Sequence, residues 1–279
     1  MIKKFTIFVM NLFLIICTFC LLSIIILNKT ILNENYILSK IEENGYYEKT
    51  YNNIRDDFRN YILQSGLEEQ IFENICDQEK VKNDINMVID AIYNEKSIEI
   101  DVEQIKNTLD YTINTSLAEK NRKPNSEEKE AIATFEKSIV EVYVNNIAYS
   151  QKYIEQIGTQ FNKIHILLEK IKEIILCIII AIVILLIFIN KNLCENAKNF
   201  GVVFLSIGIL CICINAILGG RTNNILILNK NFSELIISIL YSILNLFINY
   251  GIMFIALGIA GILIENYLKI NRNKDVKDI

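Results

Sequence analysis

The stretch "KIHILLEKIKEIILCIIIAIVILLIFIN", residues 163–190, changes character partway along its length. Residues 163–173 mix charged and apolar side chains at helical spacing, whereas residues 174–189 carry no charged side chain. No Pro or Gly lies between the two parts. At the helical rise of ~1.5 Å per residue, the uncharged part is about 24 Å long, close to the ~30 Å thickness of a bilayer core. The pattern predicts one helix that passes from water into a membrane without a hinge.

Other parts of the chain are also long and apolar enough to be predicted as membrane spans. The predicted segments are an N-terminal anchor within residues 1–27 and a three-helix region, residues 174–268, with TM2 at about 174–190, TM3 at about 200–219 and TM4 at about 248–268. The anchor is longer than the apolar core of a cleaved signal peptide and ends in bulky residues, so we expect it to be retained.

An apolar helical lead-in, residues 233–247, precedes the fourth span. Together with that span it is too long for one helix at the usual tilt in a bilayer. Three arrangements would accommodate it. The lead-in rises above the bilayer, lies in the membrane interface, or is separated from the span by a break near residues 249–251.

Basic residues in the short flanking segments predict the orientation of the spans. With the N-terminus inside, the inner segments carry Lys3, Lys4, Lys191, Lys198 and a basic tail, residues 269–279. The short outer loop carries Arg221 and Lys230. We therefore expect both termini to be cytoplasmic and the plasma membrane to be the location. The predicted fold class is an all-α integral membrane protein with four transmembrane helices, one before and three after an extracytoplasmic helical domain.

That inserted domain, residues 28–173, contains 18 Lys and Arg against 27 Asp and Glu, a net charge of about −9. An acidic segment is a poor surface for nucleic acid, which requires a basic face, so no nucleic-acid partner is expected. Apolar residues recur at helical spacing throughout it. The predicted helices begin at or near Asn33, Tyr47, Leu67, Asp77, Asp101 and Asn125. Asp101 with Gln104, and Asn125 with Glu128, have the spacing of capping boxes, and the helix after Asn125 is predicted to continue into the second span.

No sequence motif indicates catalysis or cofactor binding. The chain has a single histidine, His165, and no phosphate-binding Gly loop, HExxH or GxSxG pattern. Adjacent acidic pairs such as Glu127–Glu128 point about 100° apart on a helix and suit a solvated surface better than shared acid–base work. We predict no catalytic residue, no cofactor and no metal ligand. Cys76 is the only cysteine in the inserted domain, which leaves open a disulfide between two copies of the chain.

Two sets of residues are candidates for contacts. Tyrosine is common at protein interfaces, so the cluster Tyr46, Tyr47 and Tyr51 is a candidate partner contact, although tyrosines at helical spacing more often belong to a core. Small residues allow membrane helices to approach closely. The predicted packing positions of the third and fourth spans are Gly201, Gly208, Gly251, Ala256, Gly258 and Ala260.

These patterns favour a non-enzymatic, multi-pass protein of the cell envelope whose outer domain binds a partner or ligand. The continuous helix into the second span offers mechanical coupling between the two parts, but a helix that enters lipid also has no reason to stop. The alternative class is an accessory subunit of a membrane transporter or export complex. Expected partners are the lipid bilayer and either another protein or further copies of this chain.

Overall fold

The computed structural model describes residues 2–65, 75–98, 100–148, 151–190, 192–220 and 230–275. These residues form α-helices and the segments that join them, and no strand. In chain order the helices are α1 (Ile2–Lys29), α2 (Glu34–Glu43), α3 (Tyr46–Ser65), α4 (Gln78–Asn94), α5 (Glu103–Glu119), α6 (Ser126–Ile147), α7 (Gln151–Asn190), α8 (Leu193–Gly219) and α9 (Lys230–Asp275).

The chain divides into two compact units. The first, called the apolar unit here, comprises Met1–Asn33, His165–Leu228 and Ile236–Ile279. The second, called the polar unit, comprises Glu34–Ile164 and Asn229–Leu235. The division follows the composition of the chain, because the polar unit contains most of the charged inserted segment and the apolar unit contains the long uncharged runs.

Among the described residues, four helices are long and apolar enough to cross a membrane. Their apolar segments are Ile2–Lys29, Ile154–Asn190, Leu193–Gly219 and Asn231–Ile270. The prediction of a hinge-free helix at residues 163–190 is confirmed, since α7 is uninterrupted from Gln151 to Asn190. This chain is therefore an all-helical protein with four candidate membrane spans.

The core of the apolar unit is made of aliphatic side chains from all four of these helices. Its buried members are Leu14, Leu22, Ile26, Leu186, Val203, Ile207, Cys211 and Ile243. Helix α1 packs along α8. Phe19 of α1 also stacks on Phe247 of α9, with 6.1 Å between ring centroids. Most other side chains on these helices are exposed or half-buried, which is the arrangement expected of helices solvated by lipid.

Helix α9 is a single helix of 46 residues. The break considered near residues 249–251 is wrong, because the helix continues through them. From Ile236 onward the lead-in belongs to the apolar unit, whereas residues 233–235 belong to the polar unit, where Glu234 pairs with Lys49. Ile243 belongs to the buried core, and the carbonyl of Leu244 accepts a 3.3 Å hydrogen bond from Nδ2 of Asn215 in α8.

The polar unit is a bundle in which α3 and α6 pack most extensively. Helix α3 also packs on α4, α2 covers both α3 and α4, and α6 contacts α4 and α5. Each helix contributes an apolar stripe to the core, as the sequence pattern predicts. The fully buried side chains include Ile41, Ile54, Phe58, Ile62, Val81, Ile105, Leu109, Ile139 and Tyr143.

Side-chain caps begin two of these helices as predicted. The Asp77 side chain accepts a hydrogen bond from the backbone N–H of Lys80 at the start of α4. Asn125 and Glu128 form a complete capping box at the start of α6. The capping box predicted for Asp101 with Gln104 is wrong. Asp101 accepts from the N–H of Glu103 at 2.9 Å, and α5 begins at Glu103.

The helix predicted to run from Asn125 into the second span is interrupted. Helix α6 ends at Ile147, Ala148 is extended with φ −149° and ψ 116°, and α7 begins at Gln151. The end of α6 is built from Tyr, Val, Asn and Ile residues, which have low helix propensity. Apolar periodicity continues across this point, so the pattern alone does not show the break. The helix predicted near residues 67–75 lies largely outside the described residues, as does the end of the basic tail at residues 276–279.

Candidate functional site

A buried polar cluster lies where α4 packs against α6. Asp84 is 5% exposed, and its Oδ2 accepts a 2.6 Å hydrogen bond from the hydroxyl of Tyr143. Lys80, one turn earlier on α4, places its Nζ 3.4 Å from the same oxygen. The cap at Asp77 sets the start of α4 so that Lys80 and Asp84 project from one side of the helix. The charge of Asp84 is thus compensated by two partners.

Lys80 makes two further contacts in the cluster. Nζ of Lys80 also donates a 2.9 Å hydrogen bond to the carbonyl of Asp101, which ties α4 to the segment before α5. The same Nζ lies 5.7 Å from the centre of the Tyr143 ring, within cation–π range. A buried carboxylate without partners costs several kcal/mol, and these contacts hold Lys80 and Tyr143 beside Asp84.

Burial makes the cluster a poor site for acid–base or nucleophilic chemistry. Burial raises the pKa of Tyr143, and the neighbouring Asp84 carboxylate raises this pKa further, so the phenol remains a hydrogen-bond donor. Burial raises the pKa of the Cys76 thiol to about 12, with added repulsion from Asp77. Cys76 is 2% exposed. Nucleophilic chemistry requires a thiolate that substrates can reach, whereas this thiol is protonated and covered. The contacts among Lys80, Asp84 and Tyr143 are therefore suited to holding α4 against α6.

The structure places the predicted partner-contact tyrosines at different depths. Tyr47 is 8% exposed, its hydroxyl donates a 2.6 Å hydrogen bond to Oδ1 of Asn86, and Nζ of Lys82 lies 5.2 Å from its ring centre. Tyr46 and Tyr51 are half-buried. The ring of Tyr47 therefore serves the packing of α3 on α4, and only Tyr46 and Tyr51 present accessible surface to a partner.

A carboxyl pair lies between α5 and α6. Oε1 of Glu136 is buried and has no hydrogen-bond partner. Burial raises the pKa of Glu136 to about 7, and the carboxyl of Asp110 adds to the shift through a hydrogen bond and its charge, while Lys106 opposes it. This carboxyl therefore changes protonation near neutral pH. Spacing along the sequence does not reveal this pair, because Glu136 and Asp110 lie on different helices.

The four predicted glycines meet in the apolar unit, along the contact between α8 and α9. A Cβ on Gly201 would lie 2.9 Å from the carbonyl oxygen of Gly258, and one on Gly208 would lie 2.7 Å from that of Gly251. These distances are shorter than real Cβ contacts, so the two helix backbones touch. We call this contact, made by Gly201, Gly208, Gly251 and Gly258, the glycine seam.

The seam has a regular antiparallel register. From the pair Gly201–Gly258, one step of seven residues forward on α8 and seven backward on α9 reaches Gly208–Gly251. A further step of seven reaches Asn215, which donates its hydrogen bond to the carbonyl of Leu244. Close approach at glycine and a hydrogen bond at asparagine are both characteristic of packed membrane helices.

Two predicted packing residues lie away from the seam, and one further glycine at the contact between α8 and α9 was not predicted. Ala256 and Ala260 are exposed on α9. Gly261 instead faces α8, where a Cβ would lie 3.0 Å from Cα of Gly201 and 3.1 Å from the carbonyl of Ala197. The spacing of Ala197 and Gly201, four residues apart, is the small-residue signal that could have identified this contact.

A shallow surface concavity is lined by one face of α5 and the segment before it, including Tyr111, which is 74% exposed. Within the described part of the chain, no three His, Cys, Asp or Glu side chains are grouped to hold a metal ion.

Comparisons with protein-family models, curated proteins and solved structures found no match. The class of this protein therefore rests on its own fold, which is all-helical with four candidate membrane spans.

Proposed function

We propose that this chain is a non-enzymatic, multi-pass protein of the plasma membrane that binds a protein partner or ligand on its extracytoplasmic side. In this proposal both termini are cytoplasmic and residues 28–173 lie outside. Support for the orientation comes from the basic residues Lys3, Lys4, Lys191 and Lys198, which flank the spans on the side assigned to the cytoplasm.

The proposal is supported mainly by the way the polar unit is built and connected. It has its own core of helices and a charged surface, yet its chain is continuous at both ends with apolar helices. A water-soluble bundle connected in this way to membrane spans is suited to meeting a molecule near the membrane surface. The half-buried rings of Tyr46 and Tyr51 supply amphipathic contact area on that bundle.

We further propose that α7 couples ligand binding to the membrane spans. This helix contributes residues to both units and has no break between Gln151 and Asn190. A continuous helix transmits rotation or translation, whereas a flexible linker absorbs it. Because Ala148 is extended after the end of α6 at Ile147, the uninterrupted helix that this proposal requires begins at Gln151.

Orientation is tested with single cysteines in a chain whose seven native cysteines are replaced by alanine. Lys123→Cys lies in the exposed loop before α6, and Leu193→Cys lies at the exposed start of α8. We expect a membrane-impermeant maleimide to label Lys123→Cys in intact cells and Leu193→Cys only after permeabilisation. The reverse pattern would overturn the proposed orientation. A fluorescent protein fused to the C-terminus of the native chain gives a second readout, because it is expected to fluoresce in the cytoplasm.

The binding role is tested on the full chain purified in mild detergent from its native membrane. Recovery of an envelope protein or ligand that is lost in a Tyr46→Ala, Tyr51→Ala double variant supports the proposal. The matched control is Tyr111→Ala, which removes an exposed tyrosine from α5. Stoichiometric recovery of a transporter or export complex that survives the double variant would contradict the proposal and favour the accessory-subunit class.

A further inference from the structure

Polar side chains in the apolar unit gather at two levels along the long helices. At one level, Nδ2 of Asn28 at the end of α1 donates a hydrogen bond to Oε1 of Glu169 in α7, and Glu169 also pairs with Lys172. We call Asn28, Glu169 and Lys172 the first polar layer. These contacts fix the end of α1 at the height of Glu169 on α7.

At the other level, polar side chains of three helices are buried. Nδ2 of Asn190 at the end of α7 donates a 3.0 Å hydrogen bond to Oδ1 of Asn196 in α8, and both residues are buried. Glu265 of α9 is also buried and pairs with Lys269 at 2.5 Å. One further step of seven residues along the glycine seam reaches Cys194 and Glu265, so Glu265 lies at the start of α8. We call Asn190, Asn196 and Glu265 the second polar layer.

On α7, the separation of the two layers matches the thickness of a bilayer core. At the helical rise of ~1.5 Å per residue, the helix rises about 27 Å from Lys172 to Asn190, against ~30 Å for the hydrocarbon of a bilayer. Residues 174–189, between these two positions, carry no charged side chain. Charged side chains are costly in hydrocarbon, so the lipid tails fit between the layers.

Helices α8 and α9 have the same spacing between their own polar residues. Helix α8 rises about 29 Å from Asn196 to Asn215, and α9 rises about 30 Å from Asn245 to Glu265. Nδ2 of Asn215 donates its hydrogen bond to the carbonyl of the residue before Asn245, so the two asparagines lie at one height. Within residues 197–214 and 246–264 the only charged residue is Lys198, which lies near the second polar layer, where its long side chain reaches the interface.

The exposure of apolar side chains on α9 changes along its length in agreement with these limits. Residues 236–240, in the lead-in, are half-buried, and Ile239 packs against the core of the apolar unit. Lipid-facing segments instead present exposed apolar side chains. Apart from Tyr241, the exposed large apolar side chains between Ile236 and the second polar layer are Ile252, Met253, Leu257, Ile259, Leu263 and Ile264.

We propose that the hydrocarbon of the bilayer covers the apolar unit only between the two polar layers. The fourth span is then residues 246–264, and residues 236–244 of the lead-in lie at the level of the lipid headgroups and beyond. This span begins and ends earlier in the chain than the 248–268 predicted from the sequence. The inference rests on the proposed membrane location of the chain.

Tyr250 supports this placement of the span. Its hydroxyl accepts a 3.2 Å hydrogen bond from Nζ of Lys29, the residue that follows Asn28 of the first polar layer. A tyrosine whose ring lies among apolar side chains and whose hydroxyl reaches a charged group at the headgroups is characteristic of membrane interfaces.

The boundary is tested with a nitroxide spin label on single cysteines in the cysteine-free chain described above, reconstituted in vesicles of phosphatidylcholine and phosphatidylglycerol. Tyr241→Cys lies in the lead-in, Ile252→Cys and Leu257→Cys lie in the proposed span, and all three positions are exposed. Oxygen concentrates in hydrocarbon, whereas a nickel chelate stays in water. We expect the ratio of nickel to oxygen accessibility to be at least about tenfold higher at Tyr241 than at Leu257, because the bilayer core excludes water.

The outcomes separate this inference from the proposed function. A label at Tyr241 that is relaxed more by oxygen than by the nickel chelate would overturn the boundary, because hydrocarbon would then cover the lead-in, while the membrane location would stand. If the nickel chelate is the stronger relaxant at Ile252 and Leu257 as well, the apolar unit is not embedded in lipid and the proposed function fails with the boundary.

Lysine substitutions give a second readout that needs no label. Asn245→Lys adds a charge at the exposed limit of the proposed span, and Ile252→Lys adds one at an exposed position within it. We expect the yield of membrane-inserted chain to fall at least about fivefold for Ile252→Lys and to change little for Asn245→Lys, because a charge is costly only in the hydrocarbon. Equal losses for the two variants would contradict the boundary.

Discussion

The hydroxyl of Tyr143 donates a 2.6 Å hydrogen bond to Oδ2 of Asp84, a residue 59 positions earlier in the chain. This contact joins α6 to α4 in the interior of the polar unit, with Tyr143 fully buried. It shows that the core of this bundle is organised around a compensated charge as well as around aliphatic side chains.

Tyr143→Phe keeps the ring but removes the donor to Asp84. A hydrogen bond to a charged group contributes about 1.5–3 kcal/mol, so we expect the free energy of unfolding to fall by about that amount. The measurement is chemical denaturation of the full chain in detergent, followed by circular dichroism. Tyr111→Phe, at a 74% exposed tyrosine, is the control and should change stability little. An equal effect of the two variants would show that the buried contact contributes nothing.

Gly208→Ala and Gly258→Ala place a methyl group against the facing backbone of the glycine seam. The new Cβ atoms would lie 2.7 Å from the Gly251 carbonyl and 2.7 Å from the Leu205 nitrogen. Overpacking of this kind costs about 1–3 kcal/mol, so we expect lower thermal stability in detergent. Gly220→Ala is the control, because no atom lies within 4 Å of a Cβ at Gly220. Ala260→Leu, on the exposed side of α9, should also have little effect on the single chain.

Glu136 makes the stability of the polar unit depend on pH. Its pKa rises from 4.5 to about 7 in the folded chain. The folded state therefore binds more protons than the unfolded state between these values, and its stability falls as pH rises from about 4.5 through 7. Glu136→Gln removes this contribution, so we expect the variant's stability relative to wild type to increase from pH 5 to pH 8. Glu141→Gln, at an exposed glutamate on the same helix, provides the comparison, and parallel pH profiles for all three chains would contradict the assignment.

Cys76 should be unreactive in the folded chain. Its thiol is 2% exposed and has a pKa of about 12, so neither access nor ionisation favours modification. We expect no labelling of Cys76 by maleimide at pH 8 until denaturant is added, as read by mass spectrometry of the peptide that contains it. The covered thiol also makes a Cys76–Cys76 bridge between copies incompatible with this fold. Rapid labelling without denaturant would show that the polar unit opens around α4.

Local patterns predicted the helices of the polar unit well where a cap or a turn residue marks the boundary. Asp77 and Asn125 begin helices at the predicted residues, and Gly45, with φ +61°, separates α2 from α3. The prediction failed after Ile147, where no Gly or Pro marks the end of α6. Apolar spacing alone does not reveal such a break, because the residues on both sides of it still pack on one core.

The candidate sites were predictable only in part. The spacing of Gly201 with Gly208 and of Gly251 with Gly258 indicated one face on each helix, and those faces meet. The same reasoning predicted Ala256 and Ala260 as packing positions, but both side chains are exposed. Helical spacing shows which residues share a face, but it does not show which face a neighbouring helix covers.

The sequence by itself determined that this protein has four long apolar helices and a charged helical segment, because the length of an uncharged run and the period of apolar residues are local properties. Only the tertiary structure decided that Tyr143 pairs with Asp84 and that Glu136 faces Asp110. These relationships depend on how distant segments pack, and packing follows from the fit of whole helix surfaces, which no single stretch of sequence contains.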